Sequence, residues 1–263
     1  MRKAVIPAAG LGTRMRPWSE VVPKELVPLG TKPAIQFAVD EALGAGIAEI
    51  AVVVSPDKGL LRDYLDRFGD PSGRARFTYV TQETPRGLGD AILCCRDFAA
   101  GEPFAVLLPD NVLLSPAHDF GRLVRASERS GLDAIGVIEV THADSGRYGN
   151  CGRIEFRVLE PGLLELERLY DKLPGTLQVP PGETLLRTCG RYACTQRLLD
   201  ELAQLRATTG DRVELDEVPA YQRIVASGGA VGVVLPPPLF DVGNPSGYLA
   251  ACAAIHERHG AVE

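Results

Sequence analysis

Short apolar runs alternate with longer stretches of helical period along the first half of the chain. Residues 4–6 (AVI) are the first strand-length run. Residues 33–46 (PAIQFAVDEALGAG) follow, with proline at a helix start and glycines at its end. Residues 47–55 (IAEIAVVVS) are almost continuously apolar and β-branched, which suits a strand buried on both faces. The alternation continues with KGLLRDYLDRF as helix and ARFTYV as strand, then GLGDAILCCRDF as helix and PFAVLLPD as strand. HDFGRLVRASERSG as helix and LDAIGVIEV as strand complete it. This order predicts an α/β fold with a mostly parallel sheet, right-handed crossovers and helices on both faces. Ligands of such sheets gather at the carboxyl ends of strands. The loop after residue 6 and Asp110, at the end of AVLLPD, should therefore share one rim.

Beyond about residue 140 the texture changes. RYGNCGRIEFRVLE, LLELERLYDKLP and ETLLRTCGRYACT read as strands joined by Gly/Pro turns, predicting a small embedded β-rich lobe over about residues 141–195. Helical patterns return in TQRLLDELAQL and RVELDEVPAYQRIVASG. A last strand, AVGVVLP, leads through PPPLFDVGNPSGYLAACAAIHE into a C-terminal helix. There is no internal repeat, low-complexity stretch or linker, so residues 1–263 read as one domain.

Composition narrows the partners. A net charge of -6 and a pI near 5.4 exclude a broad basic surface, so neither nucleic acid nor an anionic membrane is expected as a partner. The apolar core of MRKAVIPAAG is too short for a signal peptide and no later run approaches a membrane span, which predicts a cytoplasmic protein. Basic residues must then act locally. The six cysteines (94, 95, 151, 189, 194 and 252) form no CxxC pair and read as reduced, mostly buried small hydrophobes. His256 and His259 could meet on a terminal helix, but HERHG reads as a solvated tail rather than a metal site.

The chemistry concentrates in residues 7–26, PAAGLGTRMRPWSEVVPKEL. Gly10 and Gly12 carry no Cβ, so backbone N–H groups there can approach an anion closely. A dinucleotide fingerprint would need a third glycine where Met15 stands, and the Gly-Lys-Ser/Thr of a P-loop is absent. Arg14 supplies a planar fork for phosphate oxygens and Lys24 a compact point charge. Several phosphates in a row would use both.

AVIPAAGLGTRMRP followed by PKELVPLGTKPAIQFAVDEALGAGI resembles the sugar-1-phosphate nucleotidyltransferases, and among them the bacterial UTP–glucose-1-phosphate uridylyltransferases (UDP-glucose pyrophosphorylases). The likeness continues in order through TQETPRGLGDAILCC, FAVLLPDNVL, RYG, GRYACT, GDRVELDE and FDVGNPSGYLAA. It implies a Rossmann-like fold of the nucleotide-diphospho-sugar transferase type. Residues up to about 140 would bind nucleotide, 141–195 would bind sugar and 196–263 would close the domain. It implies a nucleoside triphosphate and a sugar-1-phosphate as substrates, and it allows a homo-oligomer, since relatives assemble as dimers or tetramers.

The resemblance also implies roles. Arg14, Lys24 and Lys172 would be catalytic, the first two on the triphosphate and Lys172 on the sugar phosphate. Ala8, Ala9, Gly10, Gly12, Thr13, Glu25, Gln82, Gly87 and Asp110 would bind the nucleotide, Gln82 as pyrimidine reader. Gly149, Asp171, Lys172 and Gly190 would bind the sugar. Asp171 departs from the family's glutamate, and Leu173 intervenes before the expected proline. Asp110 and Asp241 would share one Mg2+. Glu214, in VELDE, matches a helix that carries acidic residues toward the site, or else a solvated helix face. UTP and dTTP differ by one methyl group and stay open as alternatives. So does a non-catalytic sugar-nucleotide sensor, whereas the missing third glycine disfavours a nicotinamide-dependent oxidoreductase.

Overall fold

β1 (Lys3–Pro7) turns Ala4 and Ile6 to one side and Val5 to the other, all fully buried, and this alternation sets the layers of the molecule. The computed structural model describes every residue except 115, 116, 145, 150–152, 174, 211, 212 and 261–263, and leaves out the side chains of residues 117 and 259. Cys151 therefore lies outside the described residues, as does the side chain of His259. A short ribbon, β2 (Pro28–Leu29) with β3 (Lys32–Pro33), precedes α1 (Ala34–Gly44). Then come β4 (Glu49–Val54), α2 (Gly59–Phe68), β5 (Arg76–Thr81), α3 (Leu88–Leu93) and α4 (Arg96–Ala99). β6 (Phe104–Leu107), β7 (Asn111–Leu113), α5 (Ala117–Ser130) and β8 (Asp133–Thr141) follow. The rest is β9 (Ile154–Glu160), β10 (Leu163–Leu169), β11 (Thr184–Cys194), α6 (Gln196–Thr209), α7 (Val218–Ala226), β12 (Ala230–Val234), β13 (Leu239–Asp241) and α8 (Pro245–Gly260).

Among the described residues, nine strands form one sheet in the order β5-β4-β1-β6-β11-β8-β12-β10-β9. β5, β4, β1 and β6 are mutually parallel, as are β8 and β12. β11 opposes both β6 and β8, and β10 opposes both β12 and β9, so seven strands point one way and two the other. The mostly parallel α/β sheet expected from the alternation is thus present. The strand-rich segment after residue 140 is built into it, with the β9–β10 hairpin at one edge and β11 near the middle. α1, α2 and α5 cover the Ala4 and Ile6 face, and α3, α4, α6 and α7 cover the Val5 face. Among the described residues no helix is long and apolar enough to cross a membrane. Cys95, Cys189 and Cys194 are buried free thiols, whereas Cys94 is exposed.

One expected helix start moves. Residues 213–217 are not helical, and α7 begins at Val218 with Pro219 in its first turn. The Leu215 N–H donates to the Arg86 carbonyl at 2.7 Å, and the Leu215 carbonyl accepts from the Gly89 N–H at 2.9 Å. Those backbone groups are spent sideways on the start of α3, so they cannot close a helical turn. Glu214 consequently sits on a strap across α3 instead of a helix face.

β11 carries a bulge at Gly190, where the backbone adopts φ 70. A side chain there would begin 2.8 Å from Asn111 Nδ2 and 3.0 Å from Leu108 Cβ. The next residue, Arg191, is fully buried and forks onto Glu41 of α1, with both bonds at 2.7 Å. Its remaining nitrogen donates to the carbonyls of Leu108 (3.0 Å) and Gly190 (3.2 Å). The chain leading to Asp110 is thereby fastened to α1 through one guanidinium. Replacing Glu41 with leucine should leave that cation buried and unpaired, lowering the unfolding free energy by about 3–5 kcal/mol in urea denaturation.

Candidate active site

The strand order brings four loops to one rim. Gln82 follows β5, Lys58 lies between β4 and α2, the glycine loop follows β1, and Asp110 follows β6. Three of them, those carrying Gln82, the glycines and Asp110, border a cleft of about 470 Å³ lined by Ala9, Gly10, Gly12 and Thr13 on one wall and by Gln82, Gly87 and Glu214 on another. Lys24 and Asp110 lie at its end. The expected glycine loop, pyrimidine reader and strand-end aspartate therefore meet in one place.

Three cations face three carboxylates at this rim. Lys24 Nζ donates to Asp110 Oδ2 at 2.5 Å, and Arg14 Nη1 donates to Asp241 Oδ2 at 3.1 Å. Lys58 Nζ donates to Glu25 Oε2 at 2.7 Å. Burial alone would depress the Lys24 ammonium, but Asp110 and Glu25 outweigh it and hold its pKa above the ordinary value. Burial would likewise raise the Asp110 carboxyl, and Lys24 with Arg14 holds it below.

Asp110 and Asp241 are far apart in sequence and are joined by the antiparallel pair β7–β13, in which Asp241 faces Asn111. The Val242 N–H also donates to the Asp110 carbonyl at 2.8 Å. A side chain on Gly243 would begin 3.0 Å from Asp110 Oδ2, 3.1 Å from Asp241 Oδ1 and 3.0 Å from Arg14 Nη2. Glycine keeps that space open. Two carboxylates converging on such a gap are the residues that could hold a hard divalent ion. Among the described residues no group of three or more His, Cys, Asp or Glu side chains offers a rival.

Two residues expected to touch nucleotide stand behind the wall instead. Ala8 donates its N–H to the Val53 carbonyl at 2.8 Å, its carbonyl accepts from Lys58 Nζ, and it does not line the cleft. Glu25 is buried at 1% exposure and faces Lys58, not the cleft. Lys58 also donates to the Gly10 carbonyl at 2.9 Å. By holding these carbonyls inward it orients the glycine loop. Sequence reasoning missed Lys58, although its place in VVVSPDK, just past a strand end, was the available signal.

The sugar set is more dispersed. Gly149 pairs with Thr176 in an isolated bridge, and Asp171 Oδ1 accepts from Gln222 Nε2 at 2.9 Å. Gly190 stands against Leu108, which lines the cleft. Lys172 points to the strap, meeting both oxygens of Asp216 at 3.0 Å and Glu217 Oε1 at 3.1 Å. None of these four residues lines the 470 Å³ cleft.

Residues 3–258 match the family described as Nucleotidyl transferase. The chain belongs to that family. It is 32% identical to UTP–glucose-1-phosphate uridylyltransferase 2 of Staphylococcus saprophyticus, over 95% of this chain and 90% of that protein. It is 30% identical to UTP–glucose-1-phosphate uridylyltransferase of Bacillus subtilis, over 95% and 89% respectively. A crystal structure of UDP-glucose pyrophosphorylase complexed with UDP-glucose superposes with a TM-score of 0.83 at 28% identity, covering 98% of this chain and 99% of that one. The nucleotidyl transferase likeness thus embraces both the cleft and the Lys172 strap.

Glu217 gives the strap a measurable property. It is 4% exposed, and burial together with its hydrogen bond to Asp216 pushes its pKa up to about 7, against Lys172. The folded state then holds a proton that the unfolded chain releases near pH 4.5. The stabilisation is fully present below that pH and is lost as pH rises through about 7. Stability should therefore fall by about 1–3 kcal/mol across this interval from Glu217 alone. Denaturation curves for Glu217→Gln, measured at several pH values, should lack that component.

Proposed function

We propose that this nucleotidyl transferase is a Mg2+-dependent UTP–glucose-1-phosphate uridylyltransferase, converting UTP and glucose-1-phosphate to UDP-glucose and pyrophosphate. The observation that carries the reading is the glycine-loop cleft that ends at the Lys24–Asp110 pair, with Arg14 paired to Asp241 beside it across Gly243. A phosphate oxygen of the sugar substrate attacks the α-phosphorus of UTP. The new P–O bond forms as the bond to the β-phosphate oxygen breaks, and pyrophosphate leaves with that electron pair.

The nucleophile is already an anion at neutral pH, so no general base is required and the absence of histidine from these motifs fits. Arg14 and Lys24 exchange their aspartates for triphosphate oxygens and neutralise the charge at the reacting phosphorus. Asp110 and Asp241, released in that exchange, would hold Mg2+. The ion, when bound, supplies charge neutralisation across phosphate oxygens. Lys172 exchanges Asp216 and Glu217 for the sugar phosphate, with Asp171 beside it for the sugar hydroxyls. Alignment of two mutually repelling anions is the larger part of the work.

Incubation with UTP, glucose-1-phosphate and Mg2+ should release pyrophosphate. Asp110→Asn should lower kcat by about 100-fold or more while the thermal midpoint stays close to that of the unaltered protein. Failure to release pyrophosphate from any of the four common triphosphates, across several sugar-1-phosphates, would remove this reading.

A further inference from the structure

Gln82 lines the cleft but is itself only 4% exposed, and both hydrogens of its amide nitrogen are accounted for. Nε2 donates to Asp90 Oδ2 at 2.7 Å and to the Gly87 carbonyl at 3.3 Å. Both partners are acceptors and nothing else. An amide placed the other way round would set its oxygen against a carboxylate oxygen and a carbonyl oxygen, so one orientation is selected. The carboxylate is held in turn. Asp90 Oδ1 accepts from Arg206 Nη2 at 2.7 Å, and Arg206 Nη1 donates to the carbonyls of Gly210 and Val213, both at 2.9 Å. The relay from α6 through α3 to the cleft is mostly buried, with side-chain exposures of 12% for Arg206 and 14% for Asp90.

We propose that Asp90, held by Arg206, is a specificity-determining positioning residue: it turns the Gln82 amide oxygen toward the cleft and thereby restricts the site to bases that present a ring N–H. Uracil and thymine carry an imide N–H at N3, whereas cytosine carries a bare lone pair at the same place. Cytosine in the same pose sets that lone pair against the Gln82 oxygen, leaving a buried acceptor unpaired. The inference rests on the proposed nucleotidyl transfer and deepens it by defining the class of base. It does not separate UTP from dTTP, which share the imide.

The test is the ratio of kcat/KM for UTP to that for CTP, measured with glucose-1-phosphate in the unaltered protein and in Asp90→Asn. Asparagine matches aspartate in size and can still accept from Arg206. With its oxygen kept on Arg206, its amide nitrogen faces Gln82 and donates, so it supports the reversed orientation of the Gln82 amide. The unaltered protein should prefer UTP by about 100-fold or more, and Asp90→Asn should narrow that ratio by about tenfold or more, chiefly by gaining CTP activity. Asp90→Ser, which removes the carboxylate without adding bulk, is the second variant should the first fold poorly, and it should narrow the ratio in the same direction. A strong UTP preference that survives in the folded variant overturns the role of Asp90 and leaves the proposed activity standing. Turnover of no pyrimidine triphosphate by the unaltered protein overturns the activity and the inference together.

Discussion

The reaction brings two polyanions to one point, and the rim must be neutral before they arrive and after. Arg14 with Asp241 and Lys24 with Asp110 meet the first condition. In the proposed reaction they would meet the second by changing partners, the cations taking phosphate oxygens and the carboxylates becoming free for a divalent ion. Such an exchange is feasible only if the resting pairs are cheap to open. The Arg14 side chain is 58% exposed, so its pair contributes at most about 1 kcal/mol and is screened by salt. Lys24 and Asp110 are more enclosed, at 17% and 21%, which places their charges where a desolvated phosphate would feel them strongly.

Other pairs of the same chemical kind are sealed. Glu25 and Lys58 lie beneath the glycine loop, and Glu41 and Arg191 lie beneath the segment leading to Asp110. Two buried hydrophobic side chains could stabilise such positions as well or better. What the ionic versions add is direction. Lys58 turns the carbonyls of Ala8 and Gly10 inward, and Arg191 draws in those of Leu108 and Gly190. Burial thus separates the pairs proposed to exchange from the pairs that hold the frame.

This division explains what could be read from the chain. The β-branched run of β4 and the alternation on either side of it are local patterns, and the layers follow from them. Gly10, Gln82 and Asp110 sit just past strand ends, where the rim rule finds them. Glu25 and Ala8 belong to the same motif, but a motif does not reveal which side of a loop faces ligand. Lys58 and the Gly10 carbonyl are 48 residues apart, and Arg206 and Asp90 are 116 apart, so no spacing joins them. The start of α7 was misplaced because VELDE has helical residues, and only the lateral bonds of Leu215 to α3 override that preference.

Those lateral bonds give the strap at residues 213–217 its function in the architecture. Gly87 adopts φ 98 under it, and a side chain there would begin 2.4 Å from the Leu215 carbonyl. Glycine at that position therefore sets how closely the strap approaches the base end of the cleft. At the strap's other end Asp216 and Glu217 grip Lys172. A side chain at Gly87 would lift Leu215, and the displacement would pass to the next two residues, Asp216 and Glu217, and so to the lysine proposed for the sugar phosphate. The cleft wall at Gly87 and the carboxylates that hold Lys172 are thus parts of one short segment, so a shift of its backbone at one is carried to the other.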